Sequence, residues 1–342
     1  MTHARLGKKI PPSLSLDVEF DLPPGVTALY GRPGSGRTLI LDLLAGFTTP
    51  ASGRILVDDA IVFDAAARVN LPARRRHCGF LFQREALFPH LTIRQNLAFA
   101  AAGWPRLERH RRVADMLERF DLAESGDRLP REAPAEARLR AAAARAVIGQ
   151  PKLVLIDDCG IGESLLARIR AVSQAPILLV TDDLDLCCTA ASQLLLLDNG
   201  RILQRGAPLE VLDQPDSVEV ARLLGNFNLF EGAVAALDPG RNSSRLDFEH
   251  FSLTCPYIRG HFRGDRVWIA VGIGRLLVHP GDETRGPNWI TAALVSACER
   301  SRSVRLEFAY GITAEISREE FARQKDNKSW QVEFPPAAIR IL

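Results

Sequence analysis

The stretch GRPGSGRT at residues 31–38 decides which fold this sequence can adopt. The apolar run 26–30 before it predicts a strand. Apolar residues at helical spacing after it, ending at Gly46, predict a helix. Glycines at fixed offsets let successive backbone N–H groups turn toward one phosphate, and a following helix adds its positive N-terminal end. The sequence therefore predicts a phosphate-binding loop between a strand and a helix.

The loop matches G-x-x-x-x-G-K-[ST] at every defined position except the lysine, whose place is taken by Arg37. A guanidinium keeps the positive charge, but it is planar, bulkier than an ammonium and prefers bidentate pairing. The hydroxyl of Thr38 is suited to Mg²⁺. We therefore expect phosphate binding to survive this change better than catalysis. A glycine-rich turn that only packs tightly is the structural alternative.

Two carboxylates follow a second apolar run. Residues 153–156 predict a buried strand of a parallel sheet, as do residues 177–180 and 194–197. At the end of the first of these strands, Asp157 is predicted to hold Mg²⁺ directly or through water. Asp158 stands where a general base would sit, one methylene shorter than glutamate, so its reach to a water is reduced. A carboxylate pair that only caps the next turn is the alternative.

The bulk composition is that of an ordinary cytosolic protein. The 342 residues are enough for two domains, and 43 basic residues against 41 acidic ones create no field for nucleic acid or membrane. The six cysteines lack metal-binding spacing, which suits a reducing compartment. No apolar stretch is long enough for a signal peptide or a membrane span. We expect a protein that is neither secreted nor membrane-spanning.

The periodicity changes along the chain and predicts two domains. Residues from about 84 to 148 are helical in pattern, whereas beyond about residue 224 short alternating stretches predict an all-β domain. We place the domains at 1–226 and 227–342. The arginine clusters 74–76 and 109–112 lack interleaved aromatic residues, so we expect solvated surface and no nucleic-acid partner.

With the loop 31–38, Gln83 and the strand end 153–158 in this order, the chain resembles the ATP-binding-cassette ATPases of importers. The block 75–83 resembles the Q-loop of the molybdate-importer members. This resemblance implies an α/β nucleotide-binding domain with a parallel-sheet core, a β subdomain and a helical subdomain. An all-β, OB-like domain of the TOBE or Mop type would follow it.

The resemblance also implies a function. In that family two cassettes, as a homodimer or heterodimer, enclose two ATP molecules with Mg²⁺ and drive a membrane permease. The protein would lie in the cytoplasm, peripheral on the inner face of the membrane, and serve import of molybdate or a related oxyanion. Metal ligands would be Thr38, Gln83 and Asp157. The nucleotide-binding residues would be Gly31, Arg32, Pro33, Gly34, Ser35, Gly36, Arg37, Thr38 and Gln83.

Several positions depart from the family pattern. The signature loop aligns with residues 133–137, which contain neither its serine nor its glycines, and the D-loop aligns with 161–164. Asp182 replaces the switch histidine and cannot donate a hydrogen bond while ionised. Near the N-terminus, Phe20 is the only aromatic residue that could stack on adenine, at a poor offset. We predict slow or absent hydrolysis; the alternative is a non-hydrolysing module that responds to nucleotide or oxyanion.

The C-terminal domain offers a weaker signal. Residues 286–289 align with an oxyanion-binding element of the molybdate-importer family but lack its serine and arginine, and Arg285 is adjacent. A structural β module is therefore favoured over an oxyanion site.

Overall fold

The computed structural model describes residues 2–10, 14–281, 286–325, 327 and 329–342. The chain divides into two compact units, Met1–Val211 and Leu212–Leu342. The domain boundary at 226/227 stays a prediction, since this division follows packing alone. Among the helices of the described ranges, none is long and apolar enough to cross a membrane.

The first unit contains eleven strands and six helices within its described residues. The strands are β1 (Thr2–Ile10), β2 (Leu14–Leu22), β3 (Val26–Gly31), β4 (Ser52–Val57), β5 (Ala60–Asp64), β6 (Val69–Asn70), β7 (Cys78–Leu81), β8 (Leu153–Asp157), β9 (Ile177–Val180), β10 (Gln193–Asp198) and β11 (Arg201–Gly206). The helices are α1 (Arg37–Ala45), α2 (Ile93–Ala100), α3 (Arg106–Arg119), α4 (Ala135–Val147), α5 (Glu163–Val172) and α6 (Leu184–Ala190). A further helix, α7 (Pro208–Asp213), spans the division between the units.

A six-stranded sheet of order β11-β10-β3-β9-β8-β7 forms the centre of this unit. Strands β10, β3, β9, β8 and β7 run parallel, and β11 is antiparallel to β10. The strands predicted at 26–30, 153–156, 177–180 and 194–197 are confirmed as β3, β8, β9 and β10. Because the carboxyl ends of parallel strands share one edge, the loops after β3, β7, β8 and β9 meet there.

The apolar runs of these strands are explained by burial on both faces. In β8, Val154 and Ile156 belong to one hydrophobic cluster, and Leu153 and Leu155 belong to another. A sheet covered on both sides needs continuous apolar runs. The helix α1 covers one face with its buried residues Ile40, Leu41, Leu43, Leu44 and Ala45.

A second sheet of order β2-β1-β4-β5-β6 is antiparallel. In its strand β2, apolar and polar residues alternate over residues 14–20. The strand β1 mixes apolar and basic residues, so its sequence pattern does not predict a strand. The helices α2, α3 and α4 lie between residues 84 and 148, where the pattern predicts helices.

The second unit is built almost entirely of antiparallel strands. Its elements are α8 (Val218–Leu224), β12 (Phe227–Asp238), β13 (Ser243–Asp247), β14 (Ser252–Pro256), β15 (Arg266–Gly272), β16 (Leu277–Pro280), β17 (Trp289–Thr291), β18 (Leu294–Glu299), β19 (Ser303–Phe308), β20 (Thr313–Ser317), α9 (Arg318–Gln324), β21 (Trp330–Glu333) and β22 (Arg340–Ile341). They form sheets of order β14-β13-β12-β15-β22, β16-β21-β17 and β18-β19-β20. The predicted β character of this region is confirmed.

Arg76 is 1% exposed, which corrects the expectation that the whole arginine run is solvated. Its Nη1 donates to the carbonyl oxygens of Leu43 (2.7 Å) and Leu44 (3.0 Å), at the C-terminal end of α1. Its Nε donates to the carbonyl oxygen of Leu71 (2.9 Å), and its Nη2 to the side-chain oxygen of Asn70 (2.8 Å). A guanidinium there satisfies carbonyls that a helix end leaves unpaired and complements the negative end of the helix dipole.

We expect Arg76→Met to lower the free energy of unfolding by about 3 kcal/mol, because it leaves several buried acceptors unsatisfied. Denaturant titration of the full chain measures this loss. Arg75→Met is the matched control: Arg75 is exposed, and its replacement should change stability by less than about 0.5 kcal/mol. Equal effects of the two substitutions would contradict the assigned role of Arg76.

Candidate functional site

The loop 31–38 joins the end of β3 to the first turn of α1 and requires its glycines. Gly34 and Gly36 have φ angles of 84° and 107°, which residues with a Cβ rarely adopt. A Cβ on Gly31 would lie 2.3 Å from the carbonyl oxygen of Leu197, in the neighbouring strand β10. The predicted strand, loop and helix are therefore present, and the sheet itself excludes larger residues at the start of the loop.

Backbone hydrogen bonds hold this loop in place. The N–H of Ser35 donates to the carbonyl oxygen of Arg32, and the N–H of Gly200 donates to that of Ser35, both at 3.1 Å. The N-cap Gly36 supplies no side-chain cap to α1. Because the first N–H groups of a helix have no intrahelical partner, α1 presents uncapped donors to this loop.

Two polar side-chain atoms of the loop are buried without a hydrogen-bond partner among the described residues. They are the Oγ of Ser35, which is 4% exposed as a residue, and the Nη1 of Arg37. Leaving a buried donor unsatisfied costs about 1–3 kcal/mol. Donors that a protein keeps unpaired at such a cost are suited to an anionic ligand, and both are at positions predicted to bind phosphate.

The structure brings the predicted metal and base residues to the same place. The Oγ1 of Thr38 donates to the Oδ1 of Asp157 at 3.2 Å, across the space between α1 and β8. The Nη2 of Arg37 lies 3.9 Å from the Oδ2 of Asp158. The residue that replaces the expected lysine is thus paired with the candidate general base. Sequence reasoning does not predict this ion pair.

Burial raises the pKa of the carboxylates in this cluster, and neighbouring negative charges raise it further. Burial raises the pKa of Asp157, the hydrogen bond from Thr38 lowers it, and the charge of Asp158 raises it. Burial also raises the pKa of Asp158, with a further increase from Asp182 and a decrease from Arg37. A site in which burial and neighbouring carboxylates disfavour the ionised form is suited to a cation, since a bound cation stabilises the negative charges.

Asp42 is a member of the cluster that sequence reasoning misses. Burial raises its pKa, and Asp157 raises it further. The signal lies in the spacing: Asp42 follows Thr38 by four residues on α1, so both side chains share one face of the helix. That face is directed toward the end of β8.

Two other predicted residues lie at the same edge of the sheet. Gln83 is exposed and follows the end of β7, which pairs with β8. Asp182 is exposed in the turn after β9, where Asp183 caps α6 by accepting from the N–H of Leu186 (3.0 Å). The roles predicted for Gln83 and Asp182 remain predictions.

The loops aligned with the signature and the D-loop lead into α4 and α5. Pro134 is the N-cap residue of α4 and provides no side-chain cap. Glu136 lies in the first turn of α4, and its carboxylate is 3.4 Å from Arg140. Proline supplies no N–H, and glutamate places negative charge where a helix N-terminus would otherwise attract an anion.

Two further candidates have structural roles. Phe20 is 1% exposed inside the core, so its ring cannot stack on a base. In the second unit, the amide of Asn288 donates to the carbonyl oxygens of Thr254 (2.8 Å) and Phe334 (2.9 Å), and it is committed to joining strands. Arg285 lies outside the described residues.

The fold and this site define a phosphate-loop nucleotide-binding cassette. The loop follows β3, and a carboxylate lies at the end of β8, which is two strands away from β3 in the sheet. The sequence pattern of the family described as "ABC transporter" matches residues 16–160. The chain is 35% identical over 244 residues to the molybdenum import ATP-binding protein of Rhodospirillum rubrum, covering 69% of this chain and 66% of that protein. It is 32% identical over 289 residues to the spermidine/putrescine import ATP-binding protein of Oleidesulfovibrio alaskensis, covering 81% and 75%.

The chain belongs to the ABC transporter family of ATP-binding proteins. It spans about two thirds of the length of the Rhodospirillum relative. A solved structure, an ATP binding subunit of an ABC transporter, superposes with a TM-score of 0.56 at 22% identity over 66% of this chain and 99% of that chain. That likeness shows the cassette fold.

We expect Asp157→Asn to raise the free energy of unfolding of the nucleotide-free protein at neutral pH by about 1 kcal/mol. Burial and the neighbouring Asp158 make the ionised carboxylate costly, whereas asparagine still accepts from Thr38. A raised pKa means that the folded state holds the proton more tightly than the unfolded chain. The wild type therefore loses stability as pH rises above the ordinary carboxyl value of 3.8.

Denaturant titrations of both proteins across this pH range measure the difference. The stabilisation should disappear only below about pH 3, where the wild-type carboxyl is largely protonated in both the folded and the unfolded state. A variant less stable than the wild type at neutral pH would contradict this account of the cluster.

Proposed function

We propose that this chain is the ATP-binding subunit of an ABC importer and couples nucleotide binding to a membrane permease. We base this above all on the loop 31–38, in which the buried Ser35 Oγ and Arg37 Nη1 have no partner among the described residues. Both donors are next to the Thr38–Asp157 pair. This arrangement suits a bound polyphosphate with its metal ion.

The residues present fit ATP with Mg²⁺. Phosphate oxygens would accept from the loop N–H groups, from Ser35 and from Arg37. The oxygens of Thr38, Asp157 and Gln83 are ligands of the kind that Mg²⁺ prefers. When bound, the metal supplies positive charge between the phosphates and the carboxylates.

We further propose that hydrolysis by this chain alone is slow. The guanidinium of Arg37 lies within ion-pair distance of Asp158 (3.9 Å), so a cation is held beside the carboxylate that a general base needs free to accept a proton. Asp182 is an acceptor in place of a donor. The N-terminus of α4, with Pro134 and Glu136, lacks the donors that would complete a partner's site. Phosphoryl transfer depends on such positioning and charge neutralisation.

An aromatic groove in the first unit supports the proposal of a permease partner. It is a cavity of about 430 Å³ whose lining includes Phe47, Phe82, Phe88 and Phe99. Phe47 and Phe99 are 52% and 59% exposed, and large exposed apolar side chains commonly mark protein contacts. Gln83 directly follows Phe82, so a partner bound in the groove would contact the chain beside the nucleotide site. We place the permease there, with the subunit on the cytoplasmic face of the membrane.

The solute we propose is molybdate or a related oxyanion, on the basis of the molybdenum relative. The spermidine/putrescine relative shows that cassettes of this similarity serve other solutes too. A second cassette would complete the assembly as a homodimer or heterodimer. Because a homodimer would carry the proline-capped α4 in both sites, a hydrolysing complex needs a competent partner cassette.

A non-hydrolysing regulatory module is the second candidate function. The Arg37–Asp158 pair favours it, because this pair retains charge for binding while it occupies the candidate base. ATP turnover distinguishes the two candidate functions. A regulatory module binds MgATP and shows no ATP turnover even when a permease is present.

The first test is calorimetry of the purified full chain with MgATP. We expect binding, and we expect Asp157→Asn to weaken it about tenfold or more, consistent with loss of one charged metal ligand. The loss of ATP affinity caused by Asp157→Asn should be small when Mg²⁺ is replaced by EDTA, since the Asp157 carboxylate then has no metal to bind.

Asp127→Asn is the matched control, since Asp127 forms an exposed ion pair with Arg94 away from the site (2.8 Å). Its MgATP affinity should equal that of the wild type. A wild-type chain that binds no MgATP, and that fails to co-purify with a permease expressed beside it, would overturn the proposed function.

A further inference from the structure

The guanidinium of Arg37 has two ends in different environments. Its Nη2 lies within ion-pair distance of Asp158 (3.9 Å), and its Nη1 is buried with no hydrogen-bond partner among the described residues. The side chain is only 12% exposed. A lysine ammonium is a point charge and has no second end to offer, whereas the guanidinium fork can bridge two acceptors.

The backbone of Asp158 is held in one place. Its N–H donates to the carbonyl oxygen of Val180 in β9 (3.1 Å), and its φ of 26° lies in the left-handed region. A non-glycine residue is kept in such a conformation only when its surroundings determine it. Asp158 is therefore a fixed anchor for a flexible arginine side chain, which would otherwise have many rotamers.

We infer that Asp158 is a positioning residue: it binds one end of the Arg37 guanidinium and so directs the other end into the phosphate loop. This inference rests on the proposed function, and it replaces the general-base role predicted for Asp158. Arg37 and Asp158 then form one functional unit, in which the carboxylate holds one end of the guanidinium.

One geometric feature of the cluster supports this role over proton transfer. The carboxylate of Asp158 lies 3.9 Å from the Nη2 of Arg37, whose side chain is only 12% exposed. Removing Asp158 would leave Arg37 among fewer acceptors and free to leave the loop. Fixing a side chain before binding saves the entropy that ordering it would otherwise cost.

A double-mutant cycle on MgATP affinity tests this inference. The proteins are the full-length wild type, Asp158→Asn, Arg37→Lys and the double variant, each measured by calorimetry with Mg²⁺. Asparagine has the shape of aspartate and tolerates the left-handed backbone, so it removes the charge with little strain. We expect Asp158→Asn to weaken binding about tenfold when Arg37 is present and less than about threefold in the Arg37→Lys background.

Two variants provide the controls. Asp158→Glu keeps the carboxylate and should retain affinity within about threefold of the wild type, a rescue that a merely structural role does not predict. Asp127→Asn breaks an arginine–aspartate pair outside the site and should leave affinity unchanged.

Other results overturn the inference. Equal losses in both backgrounds mean that Asp158 acts without Arg37. If Asp158→Asn binds MgATP as the wild type does but loses ATP turnover, Asp158 is the general base. If Asp158→Asn binds MgATP more tightly than the wild type, the Arg37–Asp158 pair is an inhibitory contact. A wild type that binds no MgATP overturns the proposed function itself, whereas wild-type binding without coupling overturns only the positioning role.

Discussion

The close approach of the Leu197 carbonyl oxygen to Gly31 is the constraint on which the rest of this site depends. A Cβ at residue 31 would lie 2.3 Å from that oxygen, so β3 can lie beside β10 and end where it does only with glycine. The chain must then turn within a few residues to start α1 on one face of the sheet. This turn points backbone donors at one small volume, and the neighbouring strand ends bring carboxylates to it.

Charge is distributed unevenly around that volume. Burial raises the pKa values of Asp157 and Asp158, and the negative charges of Asp158 and Asp182, respectively, raise them further, whereas the charge of Arg37 lowers both. An incoming polyphosphate adds negative charge to this balance. Under the proposed function a divalent cation would offset this charge, and its ligands would include Asp157 and Thr38, whose hydroxyl donates a hydrogen bond to Asp157.

Much of this could be predicted from the sequence because it is local. The apolar run before residue 31 and the helical spacing up to Gly46 lie within a few turns of chain, and an apolar strand that ends in Asp157 is equally local. The burial of Arg76 and the Arg37–Asp158 pair could not be predicted, because each depends on strands and helices far apart in sequence that meet only in the folded sheet. An arginine run looks the same in sequence whether its last member faces water or caps a helix.

The most direct test of a phosphate site at residues 31–38 is hydrogen exchange of the backbone amides of this loop and the first turn of α1, with and without MgATP. Bound phosphate oxygens accept from these N–H groups, so exchange there should slow when nucleotide is added, while amides of the second unit's outer strands keep their rates. Unchanged exchange across the loop at a saturating nucleotide concentration would contradict the account.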